Sequence, residues 1–335
     1  MSRWHPDAGW AKTTALGLTV LCVFSSSASA IRNGTPELGL QYNGVGMFLP
    51  TPSRPRGTGA MVSQFVVLTA AQNFPDIGQD PAPVYEFTLG PGLTAHATEV
   101  RRHPEFETVD GINLAYDVAL VALDRDEVRN WPGINRSAIR EVQTPVGALA
   151  TGVGFGETQT GMGSGVRRSG SFSVSGYFDG ADAFGSPIPN AFIEVVPGNE
   201  LNQCFCNGDQ GGPLFFDDRI AGVASFRFVA TCEEEGPGYY VSLHRLTDWI
   251  RDNLNEMDPP IPGDYNGNGT VDTADYVVWR KTDGTQQGYD AWRTHFGQTF
   301  GGGAGASMNA TVPEPATLAM LIMAAGWCRL RRRVA

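Results

Sequence analysis

Six residues near the C-terminal end carry oxygen donors at regular intervals: Asp264, Asn266, Asn268, Thr270, Asp272 and Asp275. Counted from Asp264 they stand at positions 1, 3, 5, 7, 9 and 12, with Gly269 at position 6 for a sharp turn. That spacing surrounds a Ca2+ ion with hard oxygen ligands, Thr270 contributing its backbone carbonyl. Sulfur chemistry is sparse. Of five cysteines, Cys22 and Cys328 lie near the ends, which leaves Cys204, Cys206 and Cys232 in between. Cys204 and Cys206 as a metal or redox pair lack the further ligands of a zinc site.

The elements that must position these groups are short. Among 335 residues there are 42 Gly and 22 Pro, hydrophobic residues make up 41% and charged residues 18%. Such a chain turns often and reads as all-β, which excludes long helical bundles and coiled coils. Apolar runs at 64–70, 118–123, 146–153 and 220–226, separated by Gly, Pro and Asn, read as strands. One helical pattern, Leu246 to Leu254, follows them. The net charge is −11, and six of the 24 cations lie in residues 1–30 and 312–335. With no clustered cations elsewhere, nucleic acid is excluded as a partner.

The two ends read as addresses. Arg3 and Lys12, an apolar stretch from Ala15 to Phe24 and the small residues Ala28-Ser29-Ala30 have the pattern of a secretory signal peptide over 1–30. Cleavage after Ala30 would start the mature chain at Ile31. At the other end Val312-Pro313-Glu314-Pro315, an apolar stretch from Ala316 to Trp327 and Arg329, Arg331, Arg332 and Arg333 resemble the PEP-CTERM sorting signal of bacterial envelope proteins. The resemblance implies export, recognition by the envelope sorting machinery and a sorting tail over 312–335. Residues 301–311, rich in Gly, Ala and Ser, read as a spacer.

Four segments in order carry a second resemblance: Ile31-Arg-Asn-Gly34, Val67-Leu-Thr-Ala-Ala71-Gln72, Tyr116-Asp117-Val-Ala-Leu, and Cys206-Asn-Gly208-Asp209-Gln210-Gly-Gly-Pro213. With Gly236-Pro-Gly238-Tyr-Tyr240 leading into the Trp249 helix, residues 31–254 resemble the trypsin-like serine proteases. The resemblance implies a two-barrel β fold with a C-terminal helix. That chemistry needs a serine nucleophile, a histidine that takes its proton and a buried carboxylate that orients the histidine. Asp117 matches the carboxylate, but Gln72 stands at the histidine position and Gln210 at the serine position. An amide neither shuttles a proton near neutral pH nor acts as a nucleophile. The other histidines of this region, His96, His103 and His244, match no motif position of the family.

The surrounding scaffold is retained in sequence. By the same resemblance Gly208 and Gln210 would present the backbone N–H groups of an oxyanion hole. Asp209 would pair with the amine of Ile31 once the leader is cut, and Cys206 would bond Cys232, which an oxidising compartment permits. The pocket residues would be Cys204 at the base, Ser225, Arg227 and Gly238. Cys204 replaces the acid of a tryptic enzyme, and Arg227, where the family has glycine, would crowd the entrance.

After a proline-rich linker over 255–262, residues 263–300 resemble a partial type I dockerin. Tyr276-x-x-Trp279-Arg280 recurs as Tyr289-x-x-Trp292-Arg293, but only one ligand loop is present. This gives a small helical calcium-loop module with a cohesin-like partner as one expectation and a spacer role as the other. The leading expectation for the whole is an exported pseudoprotease that binds a protein or peptide ligand. The alternatives are an active serine-type endopeptidase with a non-standard site and a structural protein of the envelope.

Overall fold

The computed structural model describes residues 31–50, 57–77, 84–108, 111–129, 131, 133–182, 185–229, 231–259, 261–267 and 269–298. The leader over 1–30, the spacer, the sorting tail and the ligand position Asn268 lie outside the described residues.

The strands form two barrels in chain order. A short β1 (Thr35–Pro36) precedes β2 (Val45–Phe48), β3 (Gly57–Met61), β4 (Val66–Thr69), β5 (Glu86–Gly90) and β6 (Leu93–Arg102). A small hairpin of β7 (Glu107–Thr108) and β8 (Gly111–Ile112) follows, then β9 (Ala119–Leu123). The first barrel closes in the order β2-β3-β4-β9-β6-β5. After helix α1 (Arg125–Val128) come β10 (Leu149–Gly154), β11 (Arg168–Ala181), β12 (Pro187–Pro197), β13 (Pro213–Phe216), β14 (Arg219–Arg227) and β15 (Gly238–Ser242). These pair in the order β11-β10-β13-β14-β15-β12, and β11 pairs with β12 to close the second barrel, with β1 added beside β11.

The four apolar runs enter β4, β9, β10 and β14; in β4, β9 and β14 alternate residues have two different apolar surfaces to fill, whereas the run at 146–153 leaves Val146 and Leu149 exposed. In β4, Val66 and Leu68 belong to the cluster that also takes in Val153, Val223 and Val241 of the second barrel. Val67, between them, faces the interior of the first barrel with Phe48, Phe74 and Phe87. A strand buried on both faces loses its polar alternation and reads as a continuous apolar run. Each buried Val, Leu or Phe side chain contributes about 1.5–3 kcal/mol. The seam between the barrels is thus part of the core, and a cleft along its edge is held from both sides.

Helix α2 (Thr247–Met257) extends three residues into the segment expected as linker. Its reason is Met257, buried seven residues after the buried Ile250 on the same face. Arg101 of β6 reaches Asn253 at 3.2 Å and Glu256 at 2.6 Å, and Arg125 donates to the Met257 carbonyl at 2.7 Å, tying the helix to the first barrel. Ile261, also expected as linker, packs with Val271 and Trp292 in the core of the next unit. That unit consists of the acidic loop, α3 (Thr273–Thr282) and α4 (Gln286–His295). No helix among the described residues is long and apolar enough to cross a membrane.

Candidate functional site

Two short 3-10 turns deliver the first half of the site. The chain leaves β4 into the turn Ala71–Asn73, which carries Gln72, and enters β9 from the turn Leu114–Tyr116, which is followed by Asp117. Asp117 is fully buried. Its carboxylate accepts from the Gln72 backbone at 2.8 Å, from the Gln72 side-chain amide, and from the Ser225 hydroxyl at 2.6 Å. Burial pushes the Asp117 carboxyl up to about 6, against the opposing pull of those donors. The Gln72 amide also donates to the Ser225 carbonyl at 3.0 Å. Gln72 therefore spends its donors on the carboxylate and on the wall of the cleft, and its amide holds no proton that can be passed on.

The second half is the loop from Cys206 to Pro213. Thr58 of β3 donates its backbone N–H to the Gln210 carbonyl and its hydroxyl to the Gly208 carbonyl, at 2.9 and 2.8 Å. Asn73 adds a bond to the same Gln210 carbonyl at 3.0 Å. Gly211 sits at φ +87°, and a Cβ there would fall 2.2 Å from the Thr58 carbonyl, so the loop can press this closely only with glycine. Thr58 and Asn73 have no motif signal in the sequence. They were missed because their role is set by the seam between the barrels.

Gly208 does not present a free oxyanion-type donor. Its N–H is taken by the Gln210 side chain, whose Oε1 accepts at 2.7 Å. The expected pair of backbone donors is corrected at this position: a glutamine is long enough to fold back over two residues, and a serine is not.

Asp209 is fully buried. It accepts from the backbone N–H groups of Cys206 at 2.8 Å and Gly156 at 2.7 Å, and from that of Ile31. With a neutral amide rather than an amine facing it, burial pushes the Asp209 carboxyl up to about 7. Ile31 is itself buried and sits at φ +48°, a left-handed conformation that a β-branched residue adopts only under strain. The structure brings these two residues together.

The pocket is filled. Cys206 and Cys232 form a disulfide, so Cys206 is not half of a redox or metal pair with Cys204. The sulfur atoms clustered beside Glu157 are those of this disulfide and offer no thiolate to a metal. Phe205, between the two cysteines, turns its ring inward against Tyr240 at 5.2 Å, and a Cβ on Gly238 would fall 2.5 Å from that ring. Sequence reasoning passed over Phe205, although a large residue next to the pocket base was the available signal. Arg227 crosses the remaining space and donates to the carbonyls of Phe205 at 3.2 Å and Glu234 at 2.7 Å. On one side of it lies a cleft of about 160 Å3 lined by Gln72, Asn207, Gln210 and Phe226. On the other side a cavity of about 250 Å3 reaches Cys204, which is buried and carries a free thiol.

Next to the cleft, Phe226 stacks on Tyr239 at 4.9 Å and meets Phe228 at 5.0 Å; Phe178 completes the ledge, with Phe228 68% and Phe178 41% exposed. No histidine among the described residues lines the cleft. His96 is held by Glu86 and Glu127 at the surface, His244 by Ser242, and His103 is stacked on Tyr116 with its pKa lowered to about 4 by burial and Arg245.

In the small unit, Asp275 is fully buried and accepts from the backbone of Asn266 at 3.0 Å and Asp272 at 2.8 Å. Asp264 accepts from Gly269 at 2.7 Å, with Gly269 at φ +80°, and Asp272 caps α3. The loop is closed by its own carboxylates, and Thr270 precedes Val271, which pairs with Gly297 and Gln298.

Residues 45–250 match the trypsin family. The chain is 34% identical over 167 residues to phenoloxidase-activating factor 1 of Holotrichia diomphalia, covering 47% of this chain and 44% of that protein. It is 32% identical over 213 residues to brachyurin of Leptuca pugilator, covering 58% and 85%. A variant of human heparin binding protein has the same fold at 20% identity, with a TM-score of 0.54 over 69% of this chain and 99% of that one. The chain spans less than half the length of the first of these relatives. Its two barrels, its disulfide and its buried Asp117 and Asp209 are the framework on which that likeness rests, and the chain belongs to the trypsin family.

Proposed function

We propose that this chain is an exported, non-catalytic member of the trypsin family that works by binding a protein or peptide ligand. The observation that carries the reading is the pair of glutamine contacts, Gln72 to Asp117 and the Ser225 carbonyl, and Gln210 to the Gly208 N–H. A hydrolase of this type needs a base and a nucleophile at those positions and an empty oxyanion site between them. Here each is an amide, and the amides occupy the groups that a peptide bond would use. Phe205 and Arg227 fill the pocket that would fix a substrate side chain. The exposed ledge of Phe178, Phe226 and Phe228 supports a binding role, because a large aromatic patch beside a cleft is the usual anchor of a partner.

Residues 1–30 and 312–335 support export and retention at the envelope by the sorting machinery. The loop from Asp264 to Asp275 fits Ca2+: its donors are hard oxygens, two of its carboxylates already point into the closed loop, and a unit with so small a core needs a staple below about 40 residues. Calcium there would fix the start of α3 and present the helix pair to a cohesin-like partner or as a stalk. The net charge of −11 speaks against a polyanionic ligand. Exposure of the purified, processed protein to a fluorophosphonate probe and a peptide library tests the reading. No labelling and no cleavage are expected; cleavage blocked by serine-protease inhibitors would replace it with an endopeptidase using a non-standard site.

A further inference from the structure

The cavity behind Arg227 has an unusual charge arrangement. Its lining holds two guanidinium groups, Arg32 just before β1 and Arg227 at the end of β14, together with the acids Glu234 and Glu235, and Cys204. Arg32 donates to the backbone carbonyls of Glu233 at 2.7 Å and Cys232 at 3.5 Å, and Arg227 to those of Phe205 and Glu234. Carbonyls fix the two side chains in place but do not neutralise them. Neither guanidinium forms an ion pair with a carboxylate among the described residues, whereas Arg101, Arg102, Arg125 and Arg140 each do. The Arg227 Nε is buried without a hydrogen-bond partner, a donor whose desolvation is uncompensated.

Three further facts define what would fit. Cys204 does not supply the missing negative charge: burial pushes its thiol up, with Arg227 and Arg32 opposing only in part. The two acids of the lining, Glu234 and Glu235, are exposed and turn to Thr231 and Asn202, each at 3.3 Å, rather than to either guanidinium. Val196, Pro197 and Pro237 give the cavity an apolar side. The volume of about 250 Å3 suits a small ligand.

We propose that this cavity is a binding site for a small organic carboxylate with a compact apolar body, its carboxylate held between Arg32 and Arg227 and its body against Val196, Pro197 and Pro237. Guanidinium and carboxylate match as planar, charge-assisted hydrogen-bonding partners. The cavity lies behind Arg227, apart from the substrate pocket that Phe205 fills. The inference stands whether or not the chain hydrolyses peptides, because none of its residues takes part in proton transfer.

Benzoate, benzamide and benzamidine share a shape and differ in charge, which makes them the probes. The full protein is alkylated with neutral iodoacetamide, and the peptide containing Cys204 is quantified by mass spectrometry with and without each probe. Benzoate is expected to slow labelling of Cys204 and to raise the melting temperature, while benzamide and benzamidine do neither; inorganic phosphate separates a carboxylate site from a general anion site. Arg32→Gln and Arg227→Gln should each weaken the benzoate effect by about tenfold or more, the scale of a hydrogen bond to a charged group, with circular dichroism verifying that each variant folds. Should Cys204 resist alkylation in every sample, the melting shift alone decides. Equal effects of all three probes, an effect of phosphate as large as that of benzoate, a benzoate effect unchanged in both arginine variants, or no effect at tens of millimolar would each overturn the proposal.

Discussion

Gln210 Oε1 accepts a hydrogen bond from the backbone N–H of Gly208, two residues earlier, at 2.7 Å. One side chain thus replaces the nucleophile and closes the donor that would stabilise a tetrahedral oxyanion. Because Gln210 is only partly buried, the bond is worth little to stability, about 0.5–1.5 kcal/mol. Gln210→Ala should shift the urea midpoint slightly, by no more than that amount, and a loss of several kcal/mol would show that the glutamine has a structural duty beyond filling the site.

Restoring the triad should restore reactivity without restoring tryptic cleavage. In a Gln72→His, Gln210→Ser double variant, Asp117 would face the new histidine as it now faces Gln72, and a fluorophosphonate, which needs no deep pocket, should label Ser at position 210. Peptides with Lys or Arg before the scissile bond should remain uncut, since Phe205 and Arg227 still occupy the pocket. Efficient tryptic cleavage by this variant would mean that the pocket opens.

The pairing of Ile31 and Asp209 predicts a pH dependence that is steeper in a chain still joined at Ile31 than in one cut to leave a free Ile31 amine. In the uncut chain the Asp209 carboxyl is at about 7, above its ordinary 3.8, so it contributes stability below about pH 4 that is lost as pH rises through 7. The loss is on the order of 4 kcal/mol at 1.36 kcal/mol for each unit. Asp117, raised to about 6, contributes in the same direction to both forms. Once Ile31 carries a free amine, the ion pair should lower the Asp209 carboxyl and cancel its part. Urea melts of both forms from pH 4 to 8 should therefore diverge near neutrality, with the processed form the more stable; parallel curves would refute the pairing.

The same pair can be tested at fixed pH. In the processed chain, Asp209→Asn and an extension by one Ala before Ile31 should each cost about 3–5 kcal/mol, the penalty for breaking a buried ion pair. Together they should cost little more than either alone, because both remove one interaction. Additive losses would show two unrelated effects.

How much of this was readable from the sequence depended on what set each feature. Strands β4, β9 and β14 were legible because residues such as Val66, Val67 and Leu68 must be apolar on both faces. The positions of Gln72, Asp117, Asp209 and Gln210 followed from motif order. The end of α2 was not legible, since Met257 follows the polar pair Asn255-Glu256 and its burial depends on the first barrel. The bond from Gly208 to Gln210 and the inward turn of Phe205 depend on rotamer and on space between distant strands, which periodicity does not encode.

Calcium should stabilise the small unit through Asp264, Asp272 and Asp275. Binding to the folded state alone raises stability by mass action, so millimolar Ca2+ should increase the melting temperature or helix signal of α3 and α4. Asp264→Ala removes both a ligand and the bond to Gly269, and most of the response should go with it. Absence of a calorimetric heat at millimolar Ca2+ would contradict the site.

The most direct test of the central claim is the turnover of the processed protein on a diverse peptide library, measured beside a trypsin-like enzyme with its triad intact. Loss of the nucleophile and base together costs about a millionfold in kcat in a hydrolase of this chemistry, so cleavage should be indistinguishable from buffer and unaffected by serine-protease inhibitors. Turnover above buffer that falls on substitution of Gln72, Asp117 or Gln210 would contradict the account.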